Sequence, residues 1–360
     1  MQVQSPVNRS WGGCGYVCSL GSLPWTDEMM RAELTPFLHA FLERAAVAGT
    51  TQNLGGNGAY QAFALWCIVR FLRPHAIIES GVWNGLTSWL FRRASASWQP
   101  VLVQVDPSRR KGSWTDAMNN SRTIDMRGGR FQDVARVDWQ QLGVEPARAL
   151  VLLDDHQDQL ERLQQMRQLG FRHLVFDDNH PPGLGDIFSI KNACDGGHGG
   201  HGGHRAGRLT APPCGEGELR DFFGSQRRCT GFHSKCATLT RAEFGAQRDA
   251  LVEASSVIWE APPLAPIDSG GAQPIATTVH YAASRAYEGP GPGEWTSAHT
   301  AAVLHSTKAP LFTAEYVCER LASTSFPSSG SCLRKEAGDY LHMVYVRVRP
   351  LELKGRQHAP

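Results

Sequence analysis

The stretch ALVLLDDHQDQLERLQQMRQLGFRHLVFDDN, residues 149–179, reads as strand, helix, strand. An apolar run, Ala149-Leu150-Val151-Leu152-Leu153, breaks off at Asp154-Asp155-His156. HQDQLERLQQMRQLG then has helical spacing and stops at Gly170. A second apolar run, His173-Leu174-Val175-Phe176, breaks off at Asp177-Asp178-Asn179. Apolar strands alternating with helices argue for a parallel sheet covered on both faces. In such a sheet the C-terminal strand ends share one edge, and ligands bind along it.

The same alternation runs upstream. AIIES (76–80) reads as a buried strand, LTSWLFRRAS (86–95) as a helix and VLVQVD (101–106) as a strand. Two helices precede them. In 34–47, Leu38, Phe41, Leu42 and Ala45 share a face, and 59–72 is a helical run stopped by Pro74. Downstream, the pattern breaks after residue 181. A helix resumes at 241–254, SSVIWEAPPL follows as strand and turn, and TAEYVCERLA is a last helix. The alternating run YLHMVYVRVRP (340–350) suits an edge strand closing the sheet. The expected fold is therefore α/β, a doubly wound and mostly parallel sheet. An N-terminal arm with a helix occupies 1–50, and the main domain 51–260 carries a Gly/His-rich insertion at about 181–240. A Pro/Gly-rich linker at 261–296 leads to a C-terminal helix and closing strand within 297–360.

Composition narrows the class. The chain has 360 residues, 41% hydrophobic and 19% charged, as globular domains do. A formal net charge of +2 offers no field for nucleic acid or a membrane surface. No apolar run reaches transmembrane length, and the first residues lack a basic start followed by an apolar stretch. The default compartment is thus the cytoplasm. Nine cysteines are an odd number for a disulfide framework. Cys67 reads as core, whereas Cys194, Cys214, Cys229 and Cys236 leave bridging, metal binding and free thiols open. The CDGGHGGHGGH run (194–204) with His198, His201 and His204 reads as a solvated low-complexity insert.

The turn after the first strand is IIESGVWNGLTSWLF (77–91). Glu79 ends the strand, and Gly81 and Gly85 lead into the helix. Glycine lets backbone N–H groups and a helix N-terminus approach a ligand. An acid at the end of the next strand, Asp106, can accept hydrogen bonds from two ribose hydroxyls. The spacing lacks the three-glycine dinucleotide fingerprint, so NAD is disfavoured.

Glu79-x-Gly81 followed by Asp106 resembles the first two motifs of class I S-adenosylmethionine-dependent methyltransferases. By that resemblance Glu79, Gly81 and Gly85 line the methionine part of the cofactor, and Asp106 holds the ribose. FQD (131–133) stands where the third strand of that fold ends, making Asp133 a candidate for the adenine amino group. Trp83 could pack on the cofactor or be structural.

The two acidic doublets fit the same picture. Neighbouring strands lie roughly 4.8 Å apart, so carboxylates from both ends can meet one ion. Such a cluster repels itself and loses water unless a cation compensates it. Oxygen ligands from Asp154, Asp155, Asp177, Asp178 and Asn179 favour Mg²⁺, Mn²⁺ or Ca²⁺ over zinc. A metal activates a hydroxyl, and His156 can take its proton. This order of acids resembles the catechol and caffeoyl-type methyltransferases. It also resembles the cephalosporin-hydroxylase and macrocin O-methyltransferase group. The resemblance covers roughly residues 75–180. It implies metal-assisted methyl transfer to a hydroxyl of a small molecule or sugar. The usual lysine of the catechol group has Asp158 in its place.

Competing readings stand beside this one. Asp155 could cap the following helix, and 177–183 could be a plain turn. A metal-dependent glycosyltransferase also gathers acids at strand ends, but binds a nucleotide sugar and has no need of the glycine turn. A non-catalytic binding module would keep the fold without turnover. Lys191 and Asp186 could touch substrate or belong to an amphipathic helix. The basic run SRRKGSW (108–114) is either solvated or faces an acidic substrate.

Overall fold

A computed structural model gives the architecture. It describes residues 20–44, 57–106, 114, 116–125, 133–179, 187–195, 227–229, 236–238, 241–262, 264–265, 310–322 and 343–351. His198, His201, His204, Cys214, Asp186, the run 108–113 and nearly all of the expected linker lie outside these residues.

Three helices come first: α1 (Asp27–Ala32), α2 (Leu34–Glu43) and α3 (Ala59–Leu72). The sequence reading missed α1, a single capped turn and a half, which begins where the Thr26 side chain accepts from the Met29 N–H. α3 is buried from Ala59 through Val69, so it is apolar around its whole circumference. It ends at Arg73, whose φ is +46°, directly before Pro74. Then strand and helix alternate: β1 (Ala76–Ser80), α4 (Leu86–Ala94), β2 (Val101–Asp106), β3 (Ser121–Asp125), β4 (Ala149–Leu153), α5 (Gln159–Gln168), β5 (His173–Phe176) and α6 (Ile190–Asp195). A short antiparallel pair, β6 (Arg227–Cys229) and β7 (Cys236–Thr238), stands apart from the main sheet. The chain closes with α7 (Arg241–Ala254), β8 (Ser255–Glu260), α8 (Ala314–Ala322) and β9 (Val344–Val348).

The seven-stranded sheet has the order β3-β2-β1-β4-β5-β9-β8. β1 to β5 are parallel, and β9 alone runs against its neighbours β5 and β8. This is a doubly wound, Rossmann-like sheet. One core joins α1 to α4 to one face through Ile77, Leu102, Leu150, Leu152 and Val175. The other joins α5, α6 and α7 to the opposite face through Ile78, Val103, Val151, Leu153 and Phe176. Alternate residues of each strand therefore serve opposite cores, as a sheet covered on both faces requires.

Three details depart from the sequence reading. β9 was expected at an edge but lies inside the sheet, and β8 is the edge strand. The third strand was expected to end near 131–133 but is Ser121–Asp125. α5 begins at Gln159, not at His156, because Asp158 caps it by accepting the Glu161 N–H at 2.8 Å. Of the open options for Cys194, the structure takes the bridged one, and Cys67 is a free, buried thiol as expected.

Candidate active site

The site follows from the register. Ser80, Val105, Leu153 and Phe176 occupy one row across β2, β1, β4 and β5. The next residue on each strand is therefore Asp106, Gly81, Asp154 or Asp177. Backbone bonds carry the ladder one step further: Gly81 N–H to Val105 O at 2.9 Å, Asp154 N–H to Ser80 O at 2.8 Å, and Asp177 N–H to Leu153 O at 3.2 Å. The strand order reverses between β1 and β4, so this row crosses the topological switch point, where such sheets bind ligands.

Gly81 sits at that point. Its φ is +93°, and a Cβ there would lie 1.9 Å from the Asp154 carbonyl oxygen. The loops after β1 and β4 thus touch backbone to backbone. Gly85, at φ +85°, starts α4, and a Cβ on it would meet the Trp114 carbonyl at 2.6 Å. Both glycines are needed for packing, whatever else they admit. Glu79 is buried on the α4 side, where its carboxylate accepts from Ser88 Oγ. Asp106 ends β2, opposite Asp125 of β3.

Asp154, His156 and Asp178 converge. Each offers an atom within 4.8 Å of the others. His156 Nδ1 stands 3.5 Å from Asp178 Oδ2, with the imidazole 36% exposed and the carboxylate 2%. Burial, reinforced by Asp177 and Asp178, pushes the Asp154 carboxyl well above the usual carboxylate range. Burial and Asp178 do the same to Asp177. Oδ1 of Asp177 is buried and accepts no hydrogen bond from the described residues. The site gathers negative charge faster than the chain neutralises it.

Backbone strain marks the same place. Among the described residues, five non-glycines have positive φ, and three of them are Trp83 (+50°), His156 (+52°) and Asp178 (+54°). They occupy the loops after β1, β4 and β5. Each conformation costs roughly 1–2 kcal/mol, and such outliers gather where side-chain placement matters. Trp83 is 38% exposed at this edge.

Asp155, the other member of the first doublet, is held from α5. Asp155 keeps the parity of Leu153, toward the α5 side. It accepts from Ser80 Oγ at 3.0 Å and pairs with Arg162 at 3.0 Å. Asn179 is tied to neighbouring elements: its Oδ1 accepts the Lys191 N–H at 2.8 Å, and its Nδ2 donates to Glu260 at 3.4 Å. Asp133 caps the turn 134–136 by accepting the Ala135 N–H at 2.8 Å, and it also takes two bonds from Arg162. These contacts hold the Asp133 carboxyl below its ordinary pKa against the opposing effect of burial. Lys191 is a buried member of α6, ion-paired with Glu260.

Sequence reasoning missed the residues that hold the cluster from behind. Gln159 accepts the Ile190 N–H at 2.8 Å and donates to the Asp177 carbonyl, joining α5, β5 and α6. Arg162 is 5% exposed, although an arginine four residues after Asp158 reads as an ordinary surface pair. The only available signal was its position between Leu160, Leu163 and Met166 on the buried side of α5.

No protein-family model matches the chain, and no curated protein does. Among solved structures, an SAH-bound methyltransferase of Podospora anserina is similar over 44% of this chain and 74% of its own, with 14% identity and a TM-score of 0.28. An O-methyltransferase from Bacillus cereus, in complex with SAH, is similar over 43% and 68%, with 15% identity and a TM-score of 0.26. The fold assignment rests on the order and direction of the strands.

Proposed function

We propose that the protein transfers a methyl group from S-adenosylmethionine to a hydroxyl of a small molecule or sugar, assisted by a divalent cation. The observation that carries this reading is the convergence of Asp154, His156 and Asp178 at the switch point, against the Gly81 turn. The donor set fits a hard cation: two carboxylates in contact range, with a further buried carboxylate oxygen on Asp177 that accepts no hydrogen bond from the described residues. Asp154 and Asp178 would hold it, with Asp177 adding charge. Such an ion, when bound, lowers the pKa of a coordinated hydroxyl.

The cofactor assignment rests on the turn and on Asp106. Gly81 and Gly85 open the path to the α4 N-terminus, and Asp106 stands at the end of the adjacent strand, where a ribose is held in such sheets. When bound there, S-adenosylmethionine supplies an electrophilic methyl group. Trp83, exposed on the same turn, is a flat surface beside it.

His156 is the general base. Its Nδ1 faces Asp178, which fixes the ring and stabilises the imidazolium that forms. Nε2, on the opposite side of the ring, takes the acceptor's proton. The strained backbone at His156 and Asp178 keeps both side chains in place before the acceptor arrives.

Calorimetric titration with S-adenosylmethionine, with and without Mg²⁺, tests the proposal beside Asp106→Ala and Asp178→Ala. Micromolar cofactor binding lost in Asp106→Ala, and metal binding lost in Asp178→Ala with the cofactor still bound, is the expected pattern. A folded wild type that ignores S-adenosylmethionine sinks it.

A further inference from the structure

We propose that Arg162 is a positioning residue that acts through Asp155 to set the geometry of Asp154, which would hold the metal, and of its neighbour His156. The inference rests on the metal reading above and extends it to a residue outside the convergent trio.

The Arg162 guanidinium is 5% exposed and is shared three ways. Two parallel bonds reach Asp133, Nη1 to Oδ1 at 2.7 Å and Nη2 to Oδ2 at 2.9 Å. Nη2 also reaches Asp155 Oδ2 at 3.0 Å, and Nη1 donates to Gln165 Oε1 at 2.7 Å. The same Asp155 oxygen accepts from Ser80 Oγ. Asp155 is thereby tied to β1, to α5 and to the 133 turn at once.

Asp155 lies between the two residues that matter. Asp154 and His156 contribute to the convergent cluster, while Asp155 is held from α5. The segment between β4 and the Asp158 cap is only four residues long, and His156 within it has a strained φ of +52°. Fixing the middle side chain fixes the rotation of both neighbours. Arg162 and Asp155 line the same pocket as Asp154, His156 and Asp178. This also accounts for the first acidic doublet: one carboxylate for the ion and one for the clamp.

Geometry makes arginine necessary. A planar fork can grip Asp133 bidentately and still reach Asp155, whereas a lysine ammonium is a single point charge. Outer residues that orient ligands typically govern metal affinity by 10- to 100-fold.

The test is Mn²⁺ binding to the full chain, read by electron paramagnetic resonance of the free ion, with circular dichroism as the check on folding. A folded Arg162→Lys is expected to bind Mn²⁺ at least about 10-fold more weakly than wild type. In an Asp155→Asn background the same substitution is expected to change affinity by less than about 2-fold, because the route is already cut. Where Arg162→Lys does not fold, Asp133→Asn removes the charge of the outer anchor, and a weakening of about 3-fold or more is expected. Wild-type affinity in the folded variant, or a full effect in the Asp155→Asn background, overturns the proposal alone. A wild type that binds no Mn²⁺ overturns the metal reading and this inference with it.

Discussion

Replacing Gly81 by alanine tests whether the β1 and β4 loops really meet backbone to backbone. The added Cβ would sit 1.9 Å from the Asp154 carbonyl oxygen, a separation that only movement of one loop can relieve. The φ of +93° adds a second cost. Left-handed backbone in a residue with a Cβ costs roughly 1–2 kcal/mol, and forced repacking roughly 1–3 kcal/mol more. Together these give a loss of about 2–5 kcal/mol, or roughly 5–15 °C in Tm for a domain of this size. Gly143→Ala is the control. Gly143 has a similar φ of +71° but nothing within 4 Å of the added atom, so it should lose only the backbone share. Thermal denaturation of both variants, followed by circular dichroism, measures the difference. The variant with the carbonyl clash should melt well below the control. If the two melt together, Gly81 is there only to admit a ligand, and the loop contact is wrong.

Three other outcomes follow from the same geometry. Lys191→Met should destabilise the fold by roughly 3–5 kcal/mol in a denaturant titration, because it removes the ion-pair partner of the buried Glu260 carboxylate; adding Glu260→Leu should recover most of the loss. Asp158→Ala should cost about 1 kcal/mol by removing the α5 cap, a loss that denaturant midpoints will register. His173 is pushed down to about 4, first by burial and then by Arg347 and Arg172, so the folded state resists its protonation. The unfolded chain protonates it near 6.5, so stability should fall as pH drops from about 6.5 to 4, by ~3 kcal/mol at most. In His173→Gln that slope should flatten; identical slopes would show that another group sets it.

The central strands were legible because burial on both faces writes them as unbroken apolar runs. β1, β2, β4 and β5 all declare themselves that way. β3 does not: Arg122 and Thr123 are exposed on a sheet edge, and SRTID carries no apolar run. β9 was visible as a strand, but its place was not. Nothing local in VYVRV says whether it pairs with one strand or two. The glycine turn and the acidic doublets were legible as neighbours along one sheet edge. The division of labour within them was not, since Asp154 and Asp155 look alike in one dimension. Only the partner on α5 separates them, and a buried arginine on a helix reads like any surface arginine.

The interior position of β9 also governs how the molecule must assemble. Among the named strands β8 pairs with β9, apart from one bridge to Leu20, and β9 pairs with β5 across residues 176 to 344. Until that late segment has been synthesised, β5 offers an open edge and β8 lacks its strand partner. Closing so distant a contact is slow, because loop entropy is lost before any pairing repays it. The half of the sheet carrying Gly81 and Asp106 can form from sequence-near pieces. Glu260, which anchors Asn179 and Lys191, arrives only with β8. During synthesis the half carrying Gly81 and Asp106 should therefore reach native order first, and the floor beneath the second acidic doublet last. Pulse-labelled hydrogen exchange on refolding protein would show that order directly.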